Sequence, residues 1–411
     1  MGQIGKVAVI GGGAAGFFLA VNLKEMVPAL EVTIFERSSR LLAKVEVSGG
    51  GRCNCTNTFD NVCDLSQVYP RGHRLLKRLF NVFDHRDAFE WFERHGVPLT
   101  VQDDHCVFPQ AQDSHAVIDC FLSLARRYHI NICTHVKVQS LDDLRGYDFV
   151  AVTTGGSPTG DGLLWLAETG HDVAAPVPSL FSLAVSDSRL HALQGLVVHD
   201  AVVHIPTTKF RAEGPLLITH WGLSGPAVLK LSSHAARHLA DNGYRQPLSV
   251  NWVGCSEADV QTMLSEAARR QSQKLLTTWN PFGLQQRLWA YLTEKALGDR
   301  SHIRWSELNK KDVNRLTNTL TNDSYQTTGR APFKDEFVTC GGISLSSINP
   351  STLESRHVPN LYFAGEVLDV DGITGGFNFQ AAWTTAYVAA RSMAQNAEVR
   401  NIHRADVGML Y

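Results

Sequence analysis

A glycine-rich turn near the N-terminus constrains the fold more than any other part of this chain. Residues 6–10 are one lysine followed by four apolar residues, the next six residues have the spacing G-x-G-x-x-G, and Glu36 follows twenty positions after the last glycine. Gly11 permits a tight turn, Gly13 lets the backbone approach a pyrophosphate, and Gly16 lets a helix pack closely on a strand. The N–H groups of that helix then face the phosphates. The pattern predicts a Rossmann-type dinucleotide-binding domain in which Glu36 accepts hydrogen bonds from ribose hydroxyls.

The length and the charge of the chain limit the number of domains and the kinds of partner that can be expected. The chain has 411 residues, which is long for one domain and predicts two or more. Its 38 Lys and Arg residues nearly balance its 40 Asp and Glu residues, so we expect neither a nucleic-acid partner nor attraction to an anionic membrane. No uninterrupted apolar run reaches the length of a membrane span, so a soluble, cytoplasmic protein is expected.

The cysteines do not have the spacing of a metal site. The eight residues are spread along the chain, and Cys53 and Cys55 are closer in sequence than the usual pair of zinc ligands. We therefore expect free, reduced thiols and no metal. A redox pair formed by Cys53 and Cys55 is the alternative, although its spacing differs from the C-x-x-C that is usual for such pairs.

A second glycine-rich block lies at residues 44–57. It is too polar and too rich in glycine for a strand, and it predicts a loop that faces the cofactor. Three successive glycines permit close backbone approach, Lys44 and Arg52 offer charge to a phosphate, and Asn54 and Thr56 offer neutral hydrogen bonds. A mobile surface loop is the alternative interpretation.

The segments between these blocks predict a parallel sheet. Apolar residues recur at helical spacing over 75–92, where the aromatic side chains are expected in the core, and a second helix is predicted over 115–128. Residues 130–138 and 149–156 have strand patterns, and the second of these ends in two glycines. Because strands and helices alternate, we expect these strands to pair in parallel, with their carboxyl ends near the cofactor.

The pattern changes at about Pro178. Short alternating segments such as residues 196–203 predict an antiparallel, barrel-like domain. Helices follow it, with Ser256 and Asn309 as predicted N-terminal caps. Residues 337–342 again have a strand pattern that ends in glycines, as in the first part of the chain. The first domain is therefore predicted to be interrupted and to be completed by the C-terminal residues. The predicted division is 1–178 for the first part of the cofactor domain, 179–336 for the inserted domain and 337–411 for the C-terminal part.

A third glycine-rich block, at residues 360–383, distinguishes between cofactors. A strand ends in Gly365 and Glu366, and a glycine-rich turn then opens a helix near Phe377. Glu366 is placed to bond a polyol chain, and the positive end of the helix suits the partial negative charge of a reduced flavin near N1 and the C2 carbonyl. This third contact favours FAD over NAD. A purely structural strand, turn and helix is the alternative.

The three blocks, with Gly341-Gly342 and Ser224-Gly225-Pro226, resemble the NAD(P)/FAD-dependent oxidoreductase family that includes aminoacetone oxidase and bile-acid 3-oxo-steroid reductase-like flavoproteins. The resemblance covers nearly the whole chain. It implies an α/β fold in which a glutathione-reductase-type, FAD-binding Rossmann domain is interrupted by an inserted domain made of a β-barrel-like part and helices.

The resemblance also implies particular cofactor contacts. It places the pyrophosphate at Gly11, Gly13, Ala15 and Gly16, and the adenosine ribose at Glu36. The further FAD contacts that it implies are Arg37, Lys44, Arg52, Cys53, Val136, Gly155, Gly365, Glu366, Gly376, Phe377 and Asn378.

The expected function is that of an FAD-dependent oxidoreductase. It would transfer hydride between a small organic substrate and the flavin, with NAD(P)H or dioxygen as the second partner. No second G-x-G-x-x-G follows a strand, so NAD(P)H is expected only as a transient electron donor. His220 is a candidate general acid or base because imidazole titrates near neutral pH, although a structural histidine is the more usual case. The catalytic residue is otherwise unassigned.

Two other functions remain open. The first is a flavoprotein that acts on RNA, as tRNA-modifying enzymes do, and it would require a basic face. Residues 71–78 and 309–315 are modest basic clusters, and such clusters are more often solvated helix surfaces. The second is a flavin-bound redox sensor without turnover.

Overall fold

The chain divides into two compact units. The computed structural model describes residues 5–331 and 338–408, with side chains described as far as residue 399. Unit 1 comprises Met1–Val177 and Val338–Tyr411, and unit 2 comprises Pro178–Phe337. Within the described residues no helix combines the length and the apolar character needed to cross a bilayer.

The described residues form sixteen β-strands and thirteen α-helices. The strands are β1 (Lys6–Ile10), β2 (Glu31–Phe35), β3 (Thr56–Asn57), β4 (Leu99–Val101), β5 (Cys106–Pro109), β6 (Asn131–Cys133), β7 (Phe149–Val152), β8 (Val173–Ser179), β9 (Leu183–Val185), β10 (Val197–His204), β11 (Arg211–Thr219), β12 (Gly222–Ser224), β13 (Pro247–Asn251), β14 (Asp323–Arg330), β15 (Val338–Ile343) and β16 (Leu361–Phe363). The α-helices are α1 (Ala14–Met26), α2 (Ala43–Val47), α3 (His73–Leu79), α4 (His85–Arg94), α5 (His115–Arg127), α6 (Leu164–Glu168), α7 (Ser188–His191), α8 (Pro226–His234), α9 (Ala236–Asp241), α10 (Glu257–Arg270), α11 (Gln286–Leu297), α12 (Lys310–Thr321) and α13 (Phe377–Gly408).

Unit 1 is built on a five-stranded parallel sheet in the order β16-β7-β1-β2-β6. Strand β1 is central, and only its first residue is exposed. A continuous apolar strand of this kind is typical of a parallel sheet that is covered on both faces. The predicted Rossmann-type sheet is therefore confirmed, and the C-terminal strand β16 completes it. Two smaller sheets, β15-β8 and β3-β5-β4, also belong to the described part of the chain.

Strand β6 is shorter than the predicted 130–138. It ends at Cys133, and His135 adopts a left-handed conformation with φ of 59°, which breaks an extended strand. The N–H of Val136 then donates to the carbonyl oxygen of Glu36 at 2.9 Å. The segment after β6 therefore turns across the end of β2 instead of extending the sheet.

The helical region predicted over 75–92 is two helices. Helix α3 ends at Leu79 and α4 begins at His85. The side chain of Asp84 accepts hydrogen bonds from the N–H groups of Arg86 and Asp87, which makes Asp84 the N-cap of a new helix. The apolar spacing was correct, but this cap interrupts the helix.

Helix α1 is buried between the sheet and the C-terminal helix α13. Phe18 lies at the centre of an aromatic cluster, with ring centroids 4.6 Å from Trp91 and 5.1 Å from Trp383. All three side chains are almost completely buried. The aromatic residues of 75–92 thus include core residues that fix the position of α1, and α1 carries the glycine turn at its N-terminus.

Unit 2 contains a closed barrel of six strands in the order β10-β11-β12-β9-β14-β13. Helices α10, α11 and α12 pack together in this unit, with Trp252, Trp289 and Trp305 in its core. Ser256 and Asn309 cap α10 and α12, as predicted. The predicted barrel-like and helical composition of this region is confirmed.

Candidate functional site

The turn between β1 and α1 requires glycine at its first and last positions. Gly11 has φ of 113°, and a Cβ atom there would lie 2.5 Å from the carbonyl oxygen of Thr153. A Cβ on Gly16 would lie 2.0 Å from the carbonyl oxygen of Gly11. These two glycines allow α1 to approach the ends of β1 and β7 as closely as it does.

Gly13 is different, because no neighbouring protein atom excludes a Cβ at this position. Its backbone is extended, with φ of −96°, and a Cβ there would meet no heavy atom within 4 Å. The first bond of α1 runs from the N–H of Phe17 to the carbonyl oxygen of Gly13, so the N–H groups of Ala14, Ala15 and Gly16 precede the helical ladder. Open space beside these donors fits a pyrophosphate at the positive end of the helix.

Glu36 is held at the end of β2 by backbone donors. Its Oε2 accepts from the N–H of Gly12 at 2.9 Å, and its Oε1 accepts from the N–H of Ser38 at 2.9 Å. Oε1 also accepts from the hydroxyl of Ser38 at 3.0 Å, so Oε2 is the oxygen that keeps a further lone pair and remains able to accept from a ribose hydroxyl. Arg37 is exposed beside it, and Val136 reaches Glu36 through the backbone bond described above.

Gly365 and Glu366 bring the first, second and third glycine-rich regions together. Its Oε2 lies 2.6 Å from Nζ of Lys44, and its Oε1 accepts from the N–H of Thr339 at 2.8 Å. A Cβ on Gly155 would lie 3.7 Å from Oε2 of Glu366, and a Cβ on Gly365 would lie 2.8 Å from Cβ of Ala15. Side chains from distant parts of the sequence thus meet at the carboxyl ends of parallel strands, where α/β proteins bind nucleotides.

The prediction that residues 44–57 form a loop is wrong for part of the block. It contains the short helix α2, a 3-10 turn at Ser48–Gly50 and the strand β3. Arg52 is also less available to a phosphate than expected. Its guanidinium lies 4.2 Å from the centre of the Phe108 ring, and its Nε donates to the carbonyl oxygen of Gly49 at 3.1 Å.

The end of this block is bonded to the start of α13. Thr56 Oγ1 donates to Gln380 Oε1 at 2.6 Å, and Asn57 Nδ2 donates to the carbonyl oxygen of Gly375 at 3.0 Å. Asn54, with its amide oriented to suit its neighbours, accepts from the N–H of Gly376 at 3.1 Å. These bonds link positions more than three hundred residues apart. The sequence identified the two blocks but gave no signal of this pairing.

Gly376, Phe377 and Asn378 form the entrance to α13. Gly376 has φ of 87°, and a Cβ there would lie 2.2 Å from the carbonyl oxygen of Thr56. Asn378 bonds Gly372 in both directions, accepting from its N–H at 2.8 Å and donating to its oxygen at 2.9 Å. The turn that presents the positive end of α13 is therefore fixed on both sides.

A buried ion pair beside this turn was not predicted. Arg71 Nε lies 2.5 Å from Asp371 Oδ1, and the guanidinium also bonds the second carboxylate oxygen. Asp371 is completely buried and Arg71 is 12% exposed. Nearby, the hydroxyl of Tyr69 donates to the carbonyl oxygen of Phe377 at 2.8 Å. Neither contact follows a recognisable sequence motif, because each joins residues about three hundred positions apart.

Cys53 and Cys55 lie together within the second block. Both are buried, and their sulfur atoms are 3.7 Å apart. Burial raises the pKa of the Cys55 thiol well above its usual value, with the neighbouring Cys53 contributing. The described residues include all eight cysteines, and none of these is joined to another by a disulfide bond. Across residues 5–331 and 338–399, no three His, Cys, Asp or Glu side chains are grouped as metal ligands would be.

His220 belongs to unit 2, whereas the predicted cofactor contacts belong to unit 1. It is exposed in the turn between β11 and β12, with its ring 4.3 Å from that of Trp221. Its proposed acid or base role stays a prediction.

Residues 5–392 match the family described as HI0933-like protein Rossmann domain. The chain belongs to this family. It is an FAD-dependent oxidoreductase with a Rossmann-type domain, and the resemblance inferred from its motifs is confirmed.

Two relatives align with almost all of this HI0933-like protein. A Clostridium scindens protein named 3-dehydro-bile acid delta(4,6)-reductase is 27% identical, over 95% of this chain and 99% of its own length. An Escherichia coli protein named ribosomal RNA dihydrouridine synthase is 28% identical, over 94% of this chain and 97% of its own length. Among solved structures, 3-ketosteroid delta1-dehydrogenase from Sterolibacterium denitrificans has a TM-score of 0.49 at 11% identity, covering 95% of this chain and 99% of that one.

Proposed function

We propose that this protein is a flavin-dependent reductase that saturates a carbon–carbon double bond conjugated to a carbonyl group, with NAD(P)H as the electron donor. The proposal is based on the two relatives that align with almost the whole chain, because the reactions given in their names have the same chemistry. One name describes reduction of double bonds in a 3-oxo bile acid, and the other describes addition of two hydrogens to the uracil ring of uridine. Both substrates present an electron-poor double bond next to a carbonyl. The proposal therefore names a class of bond and leaves open the molecule that carries it.

Bound FAD would supply hydride, and the chain would hold the cofactor and shape its surroundings. The open space at Gly13 and the N-terminus of α1 suit the pyrophosphate, and Glu36 suits the adenosine ribose. The Lys44–Glu366 pair suits the polyol chain. Arg37, Cys53, Val136 and Gly155 are proposed as further contacts on the basis of the family resemblance.

The entrance to α13 suits the part of the flavin that gains negative charge on reduction. The N-terminus of this helix provides a positive field, and Gly376 allows the turn to lie against Thr56. The bonds of Asn54 and Asn57 hold the two segments in place, so the field would need little rearrangement during the reaction. Arg71 is held by Asp371 next to the same turn and is a candidate positioning residue.

An anaerobic half-reaction experiment tests the proposal. The purified protein is mixed separately with NADH and with NADPH, and absorbance at about 450 nm, the band of oxidised flavin, is followed. The reduced protein is then mixed, still without oxygen, with a 3-oxo-4-ene steroid and, in a parallel sample, with a uridine-containing RNA hairpin. We expect bleaching with one of the nucleotides, then return of the band with at least one acceptor and a product that has gained two hydrogen atoms.

A saturated analogue of each acceptor is the matched control, because it keeps the shape but lacks the double bond. If the reduced flavin is reoxidised only by air, the proposed reductase is wrong and an oxidase is favoured. Bleaching by a small amine or alcohol, with none by NADH or NADPH, leads to the same conclusion.

A further inference from the structure

The helical part of unit 2 carries an excess of positive charge that the whole-chain balance conceals. Residues 269–315 include ten Lys and Arg but only four Asp and Glu. One of those acids, Asp312, is buried and paired with Arg300 at 2.7 Å. The prediction that no nucleic acid would bind rested on the net charge of the whole chain and on the interpretation of residues 309–315 as a solvated helix surface, and neither considers residues 269–304.

Two separate segments that carry exposed cations are paired with each other through their backbones. Arg269 lies in the last turn of α10, and Lys274 lies in the segment that follows this helix. That segment pairs with residues around Arg304, through a bridge between Leu275 and Arg304 and a bond from the N–H of Trp305 to the oxygen of Lys274 at 3.0 Å. The backbones of Lys274 and Arg304 are therefore adjacent, although the two residues are thirty positions apart.

Helix α12 continues this surface. Arg300, which precedes the paired segment, bonds both the Glu307 carbonyl oxygen and the Asp312 carboxylate in the first turn of α12. The helix also packs against α10. Its exposed face consists of Lys311, Asn314, Arg315 and Asn318, which recur at helical spacing and include no acid.

We propose that this basic helical surface, defined as Arg269, Lys274, Arg304, Lys310, Lys311 and Arg315, binds the phosphate backbone of RNA. Clustered cations with interspersed amides form the footprint of a backbone contact, because cations pair with phosphates and amides bond sugar and phosphate oxygens. The choice of RNA over other polyanions rests on the proposed function, since one of the two substrate classes that share the reducible bond is uridine in RNA. The surface would then hold the RNA, while the flavin domain acts on the uracil ring.

The salt dependence of binding tests this proposal without any redox step. Anisotropy of a fluorescein-labelled RNA hairpin is measured with the flavin-loaded, oxidised protein between about 50 and 200 mM salt, because each phosphate contact adds about −0.7 to −0.9 to the slope of log K against log salt. Two double variants, Lys311→Gln/Arg315→Gln and Arg269→Gln/Lys274→Gln, remove two cations each. Each is expected to weaken binding and to reduce the magnitude of the slope by about 2.

Arg126→Gln/Arg127→Gln is the matched control. These two arginines are exposed at the end of α5 in unit 1 and carry the same charge, so this variant is expected to leave the slope unchanged. Absence of salt-dependent binding by the wild-type protein, or equal effects of all three variants, overturns the proposal. Polyglutamate that binds as tightly as the RNA also overturns it, and indicates an acidic protein as the partner.

Failure here is distinguishable from failure of the proposed function. A protein that reduces the steroid but does not bind RNA keeps the reductase proposal and loses this one. A protein that binds RNA through this surface but reduces no conjugated double bond keeps the RNA-binding proposal and loses the reductase proposal.

Discussion

Gly13 and Gly16 lie one turn apart, yet glycine serves a different purpose at each position. At Gly16 the protein itself excludes a side chain, since the carbonyl oxygen of Gly11 occupies the space. At Gly13 the protein leaves the space open. Glycine at position 16 is thus a requirement of folding, whereas glycine at position 13 would be explained by the proposed pyrophosphate. Substitutions at the two positions separate these requirements.

Gly13→Val is expected to fold but to lose its flavin. Valine adopts an extended backbone readily, and a Cβ at this position would meet no heavy atom within 4 Å, but the side chain would occupy the space proposed for the pyrophosphate. The measurement is the ratio of flavin to protein absorbance after purification, with circular dichroism to establish folding. Gly13→Ala is expected to lose less flavin. A folded Gly13→Val protein with full flavin occupancy would show that our cofactor placement is wrong.

The cysteines are expected to differ widely in reactivity. Burial raises the pKa of Cys120 to about 12 and that of Cys106 to about 11, so at pH 8 few of these thiols are ionised. Cys63 is exposed. Iodoacetamide at pH 8 should label Cys63 faster than Cys55, Cys106 or Cys120, by a factor on the order of ten or more.

Peptide mass spectrometry over a time course measures this difference. Cys63→Ser provides the control, because it should remove the fast phase alone. Rapid labelling of Cys55 in the folded protein would contradict its burial and its raised pKa.

At the scale of elements, the sequence predicted what local patterns determine. The start of α12 at Asn309 and that of α10 at Ser256 followed from side chains that bond the backbone three residues later. The break at Asp84 follows the same rule, but it lay inside an apolar helical pattern that extended across it. Pairing between distant segments was not predictable. The bond between Thr56 and Gln380 depends on the register of two glycine-rich turns, which no local property specifies.

The first turn of α12 is expected to respond to pH. The hydrogen bond from Arg300 holds the pKa of Asp312 below its usual value, so folding favours the ionised carboxylate. This stabilisation is complete above the ordinary pKa of an aspartate and is lost as pH falls through the lower value in the folded protein. Asp312→Asn should therefore lower the free energy of unfolding by about 1–3 kcal/mol at pH 7.

Urea unfolding of wild type and variant between about pH 7 and pH 3 measures the difference. The gap should narrow as pH falls below about 4. Asp241→Asn, an exposed aspartate in the same unit, should change the free energy by less than about 0.5 kcal/mol at every pH. A gap for Asp312→Asn that is the same at pH 3 as at pH 7 would rule out this explanation.

At the scale of the whole molecule, the two units divide the tasks proposed here. Every proposed cofactor contact belongs to unit 1, and the basic helical surface belongs to unit 2. The sequence predicted the change of architecture near Pro178 because alternating patterns replaced strand and helix alternation. The closure of the barrel by β9 and β14 was not visible, since it pairs segments about 140 residues apart.

Hydrogen exchange should register this division. Saturating FAD added to the apoprotein is expected to slow exchange in residues 11–17, 49–57 and 372–380, and to leave the barrel strand β10 unchanged. A ligand at 100 times its Kd stabilises the state that binds it by about 2.7 kcal/mol. The Gly13→Val protein is the control, since FAD should protect none of these segments in it. Protection that is confined to β10 would place the cofactor outside unit 1.

Strands β8 and β15 are neighbours in a two-stranded sheet, and the inserted domain departs after the first and returns before the second. Adjacent strands are about 5 Å apart, and a Cβ on Gly341 of β15 would lie 2.5 Å from the carbonyl oxygen of Ala175 in β8, so these two strands are in close contact. A module attached in this way can be exchanged or deleted as a cassette, with a tight turn closing the gap, while the nucleotide fold around it keeps its register. Gene fusions made at this junction would attach a domain with a different binding surface to the same FAD-binding domain.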